Sequence, residues 1–238
     1  MFHGNIRAFG YALRNPIAAT RYIYIFIREA TVNKTSKMSA LLKVPPSVVT
    51  GYLHELGESD LSCTIKAGIA RQRGIPIGGM TTSGRSPILY VICRVLRPKI
   101  VLETGVASGV SSAYILHALD RNQLGTLYSV DFPTSPDGLA SGWLIPDRLR
   151  NRWHLTLGKS SEKLPVLLEE IPKVDVFLHD SDHSYKNMMF EFRTVWPHLR
   201  EGGLLLSDDT HMNRSFFDFA REVNRRPIRF YLLSAIRK

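Results

Sequence analysis

From Ser86 onward the apolar positions fall into short runs separated by helical stripes. Residues 99–103, 126–131, 153–157, 174–178 and 204–207 are brief runs rich in Val, Ile and Leu, the length and chemistry of buried strands. Between them lie stripes at three- and four-residue spacing. One starts at Ser86-Pro87 and carries Leu89, Ile92, Cys93 and Leu96; a second spans residues 111–119; a third, capped by Ser160 or Ser161, carries Leu164, Leu167, Leu168 and Ile171. A fourth covers 185–196 and is buried through Phe192, Val195 and Trp196, and a helix over 216–223 and a last strand within 228–233 end the series. Strand and helix in alternation predict βαβ units and an α/β, Rossmann-like, doubly wound, mainly parallel sheet.

The chain ahead of this series reads differently. Two helices are expected before residue 35, separated by Asn15-Pro16, with Arg7, Arg14, Arg21 and Arg28 recurring every seventh residue and so keeping roughly one side. A third helix starts at Pro45-Pro46-Ser47, shows Val49, Tyr52, Leu53 and Leu56 as its stripe and stops at Gly57. Residues 60–84 hold Gly68, Gly74, Gly78, Gly79 and Gly84 and read as a linker able to fold over a site. The expected division is a basic helical segment and linker over 1–75 and an α/β domain over 76–238.

Composition narrows the class. The 238 residues are 44% hydrophobic and 22% charged, ordinary for a soluble globular protein. No apolar run approaches the roughly 18 residues of a membrane span. The run 22–27 is short, sits between Arg21 and Arg28 and lacks a secretory cleavage site, which gives a cytoplasmic reading. Cys63 and Cys93 match neither a disulfide framework nor zinc-ligand spacing. The net charge of +10 is concentrated at the start, where residues 1–50 hold seven Arg and Lys against Glu29. That balance favours an anionic membrane surface, nucleic acid or a phosphorylated substrate without choosing among them. The same basic helices could equally pack on the main domain or on a second subunit of a homo-oligomer.

The first strand runs into Glu103-Thr-Gly105-Val-Ala-Ser108-Gly109, a turn in which glycines at 105 and 109 let backbone approach a ligand and the next helix offers free N–H groups. There is no G-x-G-x-x-G, which disfavours a dinucleotide-dependent oxidoreductase. At the tip of the second strand Asp131 can accept hydrogen bonds from both hydroxyls of a ribose. Turn and acid together point to a nucleoside ligand.

Residues 99–131 resemble motifs I and II of class I S-adenosylmethionine-dependent methyltransferases, with E-x-G-x-x-x-G at 103–109. The runs 142–147, 179–183 and 203–209 further resemble methyltransferase family 24, so that the likeness covers about residues 80–238. It implies S-adenosylmethionine as cofactor, with Glu103, Gly105, Ser108 and Gly109 at its methionine part and Asp131 at its ribose. In the triplet Gly158-Lys159-Ser160, Lys159 stands where many relatives carry an acid, and only Ser160 carries over as an adenine contact. The family's sheet usually ends in an antiparallel hairpin, for which residues 229–238 barely have room.

Strands four and five of such a sheet are neighbours, about 4.8 Å apart. Their tips read His179-Asp180-Ser-Asp182-His183 and Asp208-Asp209-Thr-His211. Asp180, Asp208 and Asp209 come within reach of one Mg²⁺ or another divalent cation, and the three positions are similar to those of metal-dependent catechol and caffeoyl-CoA O-methyltransferases. A cation beside a hydroxyl lowers its pKa, and a nearby base takes its proton. His183 and Asp182 are the catalytic candidates, His183 first as base. The competing structural roles are Asp182 or Ser184 as cap of the helix from Tyr185, and Asp209 as a turn former. The expected function is metal-assisted O-methylation of a small-molecule, glycan or lipid-linked acceptor. The alternatives are a nucleic-acid methyltransferase, for which a Pro-Pro motif is missing after strand four, and a non-catalytic binding protein of the same fold.

Overall fold

The computed structural model describes residues 34–71, 85–132, 139–230 and 232–238. The two arginine-bearing helices expected before residue 35 lie outside these residues, as do 72–84 of the expected linker and its junction with the α/β domain.

Five strands, β1 (Ile100–Thr104), β2 (Thr126–Asp131), β3 (Trp153–Leu157), β4 (Val174–His179) and β5 (Leu199–Ser207), pair in parallel. A terminal hairpin of β6 (Ile228–Arg229) and β7 (Ser234–Arg237) adds to β5 with β7 antiparallel, in the sheet order β3-β2-β1-β4-β5-β7-β6. Strand order reverses between β1 and β4, so their carboxyl ends open a crevice.

The strands are buried on both faces, which explains why they read as continuous apolar runs with no polar alternation. Val101, Val176, Leu178, Leu204 and Leu206 face one hydrophobic cluster, and Leu102, Phe177 and Leu205 face the other. The first cluster is completed by α1 (Lys34–Leu42), α2 (Pro46–Gly57), α3 (Leu61–Arg71), α4 (Ser86–Leu96) and α5 (Val110–Asn122). The second is completed by α6 (Ser160–Glu170), α7 (Tyr185–Val195) and α8 (Ser215–Glu222). The sheet is therefore doubly wound, as the alternation of elements predicts. Met38, Leu41, Leu42, Val49, Leu61 and Ile65 bring α1 to α3 into the same core as the sheet. A bidentate pair, Arg94 to Glu55 at 2.8 and 2.9 Å, fastens α2 to α4 and holds the Glu55 carboxyl down at about 2.

Several expectations need correction. Part of the glycine-rich stretch is helix: α3 buries Leu61 and Ile65, and Gly68 lies where an added Cβ would meet the Leu144 side chain at 2.8 Å. Close packing, not chain flexibility, accounts for that glycine. Strand β5 starts at Leu199, ahead of Gly202-Gly203, and a register shift between Val174 and Val176 absorbs the irregularity. The terminal hairpin does fit, because β6 has only two residues and Phe230 and Leu233 are buried in its turn. Neither Ser160 nor Ser161 caps α6, whose N-cap is Lys159 with no side-chain hydrogen bond. Among the described residues no helix is long and apolar enough to cross a membrane.

Candidate active site

The strand ends are locked one residue past each ladder. Gly105 N–H donates to the Val130 carbonyl, Gly158 N–H to Asp131, Asp180 N–H to Thr104 and Asp208 N–H to His179, all at 2.8–2.9 Å. The side chains of Asp131, Asp180 and Asp208 thus hang from fixed backbone at the tips of β2, β4 and β5, as geometry-sensitive chemistry requires.

The loop after β1 is held just as firmly. Gly142 N–H donates to the Ala107 carbonyl and Leu144 N–H to that of Ser108, at 2.8 and 2.9 Å. The Asp131 carboxylate accepts from Ala107 N–H at 3.1 Å and so joins the tip of β2 to the same loop. Gly105 and Gly109 have φ of +85° and +86°. A Cβ at Gly105 would stand 2.0 Å from the Asp180 carbonyl oxygen, and one at Gly109 would stand 2.7 Å from Gly142 Cα. Protein backbone is the first neighbour that these glycines admit.

Two cavities open along the crevice and share Gly105, Ala107 and Asp180. One, of about 510 Å³, is lined by Asp131, Phe132, Gly158, Ser160, Asp182 and Asn187. The other, of about 330 Å³, is lined by Arg85, Ser108, Asp180, His183, Asp208 and Asp209. Together they form an elongated site with a carboxylate at one end and a charged cluster at the other.

Electrostatics in the second cavity are set by burial. Desolvation, opposed by Arg85 and reinforced by Asp209, pushes the Asp180 carboxyl up to about 7. His183 Nε2 lies 3.8 Å from Asp180 and 3.6 Å from Asp209. Burial and the neighbouring His179 lower its pKa, favouring the neutral imidazole that can take a proton. Asp208, 2% exposed, is ion-paired with the Arg85 guanidinium, which also stands 3.7 Å from Asp209.

Residues 102–210 match methyltransferase family 24, described as a methyltransferase domain. The fold is that of the Rossmann-like methyltransferases. No curated protein matches it in sequence. Among solved structures it is similar to the SAH-bound methyltransferase PaMTH1 of Podospora anserina, at 16% identity over 75% of this chain and 87% of that one, TM-score 0.58. It is also similar to a Geobacter sulfurreducens methyltransferase (18% identity, 76% and 90% covered, TM-score 0.58). An O-methyltransferase of Bacillus cereus in complex with SAH aligns at 13% identity over 74% and 91% of the chains, TM-score 0.54.

Within this fold the expected site residues separate. Gly105, Ser108, Asp131, Ser160, Asp180, His183, Asp208 and Asp209 line the two cavities. Glu103 does not: it is fully buried below the loop, where Ser112 and Ser129 both donate to it at 2.6 Å. It braces β1 against α5 and β2. Gly109 lines neither cavity and serves the packing against Gly142. Asp182 borders the first cavity, but its carboxylate accepts from Ser184 N–H at 2.9 Å and from the Ser184 hydroxyl at 3.0 Å. Ser184 in turn caps α7 by accepting from Asn187 N–H. Asp182 thus holds the start of α7 while bordering the cavity.

The metal expectation also changes. The three carboxylates do line one cavity, yet a side-chain cation already stands against Asp208 and beside Asp209. Among the described residues no group of three or more His, Cys, Asp or Glu is placed to hold an ion. The donor set does not fit a divalent metal.

Two residues escaped the sequence reading. Arg85 follows the glycine-rich stretch without a motif of its own. Glu191 is buried in α7 and accepts from Thr104 Oγ1 at 2.5 Å, Ser181 Oγ at 2.7 Å and Asn187 Nδ2 at 3.0 Å, with His179 Nδ1 at 2.6 Å. Its signal was available: an acid in the same helical stripe as Met188, Phe192 and Val195.

Proposed function

We propose that the domain is an S-adenosylmethionine-dependent O-methyltransferase acting on a hydroxyl of a small-molecule, glycan or lipid-linked acceptor. The observation that carries this is the pair of cavities meeting at Gly105, Ala107 and Asp180, with a ribose-type acid in one and a neutral histidine in the other. The B. cereus neighbour, named an O-methyltransferase, supports the choice of oxygen.

S-adenosylmethionine supplies a sulfonium methyl group that a nucleophile displaces in line. Asp131 and the half-exposed Phe132 would hold its nucleoside, and the loop 105–108 its methionine part. His183 accepts the acceptor's hydroxyl proton at Nε2, the nitrogen facing Asp180 and Asp209, and the Asp209 carboxylate favours the resulting imidazolium. The rigid strand tips keep these groups in place, so that little reorganisation accompanies reaction.

Calorimetric titration with S-adenosylhomocysteine (SAH) tests the reading. Wild type should bind, and Asp131→Asn should bind more weakly by about 2 kcal/mol, roughly thirtyfold, the usual worth of hydrogen bonds to a charged acceptor. Absence of binding to wild type, or equal affinity in the variant, would overturn it.

A further inference from the structure

Asp208 hangs from a buried strand tip with almost no access to water, and an ionised carboxylate in that position requires a counter-charge. Arg85 provides it. Its guanidinium contacts Asp208, lies 3.7 Å from Asp209 and lines the same cavity as Asp180 and His183. The residue is anchored, since its carbonyl accepts from the N–H groups of Ile88 and Leu89 at 2.9 and 3.1 Å. Residues 88–93 of α4 are in turn buried in the core.

The geometry points to Arg85 as a built-in cation that takes the place of a divalent ion at the acceptor end of the cavity. The acceptor is then a hydroxyl compound held by hydrogen bonds, not one chelated to a metal. This rests on the methyl-transfer reading above and names the device by which that site receives its acceptor. A divalent ion would need several oxygen ligands at about 2.0–2.6 Å, and here it would have to displace a like charge already seated between them. A guanidinium differs from an ion in what it offers. It has five N–H donors in a rigid plane and no vacant coordination positions, so it holds an acceptor's oxygens by hydrogen bonds and does not ligate them. Arg85 is thus a positioning residue for the acceptor and the internal neutraliser of Asp208 and Asp209.

The test uses Mn²⁺ alone as probe, titrated into the full chain and followed by electron paramagnetic resonance. Wild type should show no saturable uptake at millimolar ion. Arg85→Ala should gain Mn²⁺ affinity by at least about tenfold, and adding Asp208→Asn should remove the gain, an exchange that a merely structural arginine would not produce. If the alanine variant does not fold, Arg85→Gln, which keeps a donor for Asp208 but loses the charge, carries the same expectation. Saturable uptake by wild type that Asp208→Asn abolishes would overturn the proposal, as would a folded Arg85 variant that takes up no Mn²⁺. SAH titrated into the same samples reports the cofactor pocket separately. Its failure to bind would strike the methyltransferase reading, whereas the Mn²⁺ result strikes only the role of Arg85.

Discussion

Gly105→Ala should cost at least about 4 kcal/mol of unfolding free energy, the range of severe single substitutions. Two effects add. The residue sits at φ +85°, a left-handed conformation that costs an L side chain about 1–2 kcal/mol. The new methyl would also stand 2.0 Å from the Asp180 carbonyl oxygen and 2.5 Å from its carbon, well inside contact distance, and both neighbours are backbone. Relief requires the loop after β1 to part from the tip of β4, which breaks the registry that brings the two cavities together. SAH binding should therefore fall with stability. Gly51→Ala in α2 is the internal control. An added Cβ there meets nothing within 4 Å, and exchanging an exposed helical glycine for alanine should stabilise by about 0.5–1 kcal/mol. Urea unfolding of both variants decides the matter; a Gly105→Ala protein within about 1 kcal/mol of wild type would show that the close approach is not a constraint.

That substitution also marks the boundary of what the sequence discloses. The five parallel strands were legible because burial on both faces leaves uninterrupted apolar runs, and the place of Asp131 at a strand tip was legible because it ends one of those runs. The glycines themselves were found but half understood. A sequence shows that Cβ is absent, not whether a ligand or a neighbouring strand fills the space, and at Gly105 and Gly109 it is backbone. Gly68 misled for the same reason: its partner, Leu144, lies far along the chain, so a packing glycine resembled a linker. Asp182 and Asp180 share one motif, and only the geometry at Ser184 shows that Asp182 also holds a helix start. Arg85 had no local signal at all. Its meaning depends on Asp208, more than a hundred residues away, and on the sheet order that places the tip of β5 beside the start of α4. Carboxylates at adjacent tips read as a metal site until the residue opposite them is known.

Two buried carboxylates, neither lining the cavities, should give opposite slopes of stability against pH. Glu103 is fully buried; desolvation outweighs the hydrogen bonds from Ser112 and Ser129 and pushes its carboxyl from an ordinary 4.5 up to about 7. In the unfolded chain it ionises near 4.5, so between 4.5 and 7 the unfolded state has lost the proton that the folded state keeps. Stability is full below 4.5 and declines as pH rises, by about 3 kcal/mol at neutrality and above. Glu191 is buried to the same degree, and burial alone would raise it, but the hydrogen bond from His179 and those from Ser160 and Thr104 hold it below its ordinary value. Its contribution has the other sign: present above the unfolded pKa and lost as pH falls through the folded one. Replacing each by Gln removes its own titration and leaves the other's. Urea unfolding from about pH 3 to 8 should show wild type losing ground to Glu103→Gln across the range 4.5 to 7. Against Glu191→Gln, wild type should lose ground only on acidification and hold a constant lead at higher pH. The level of each curve depends on how well an amide replaces the acid; the slopes do not. Curves that stay parallel to wild type throughout would mean that the two carboxyls titrate alike in folded and unfolded chains, and that the contrast between one carboxyl short of donors and one surrounded by them has no consequence for the stability of this fold.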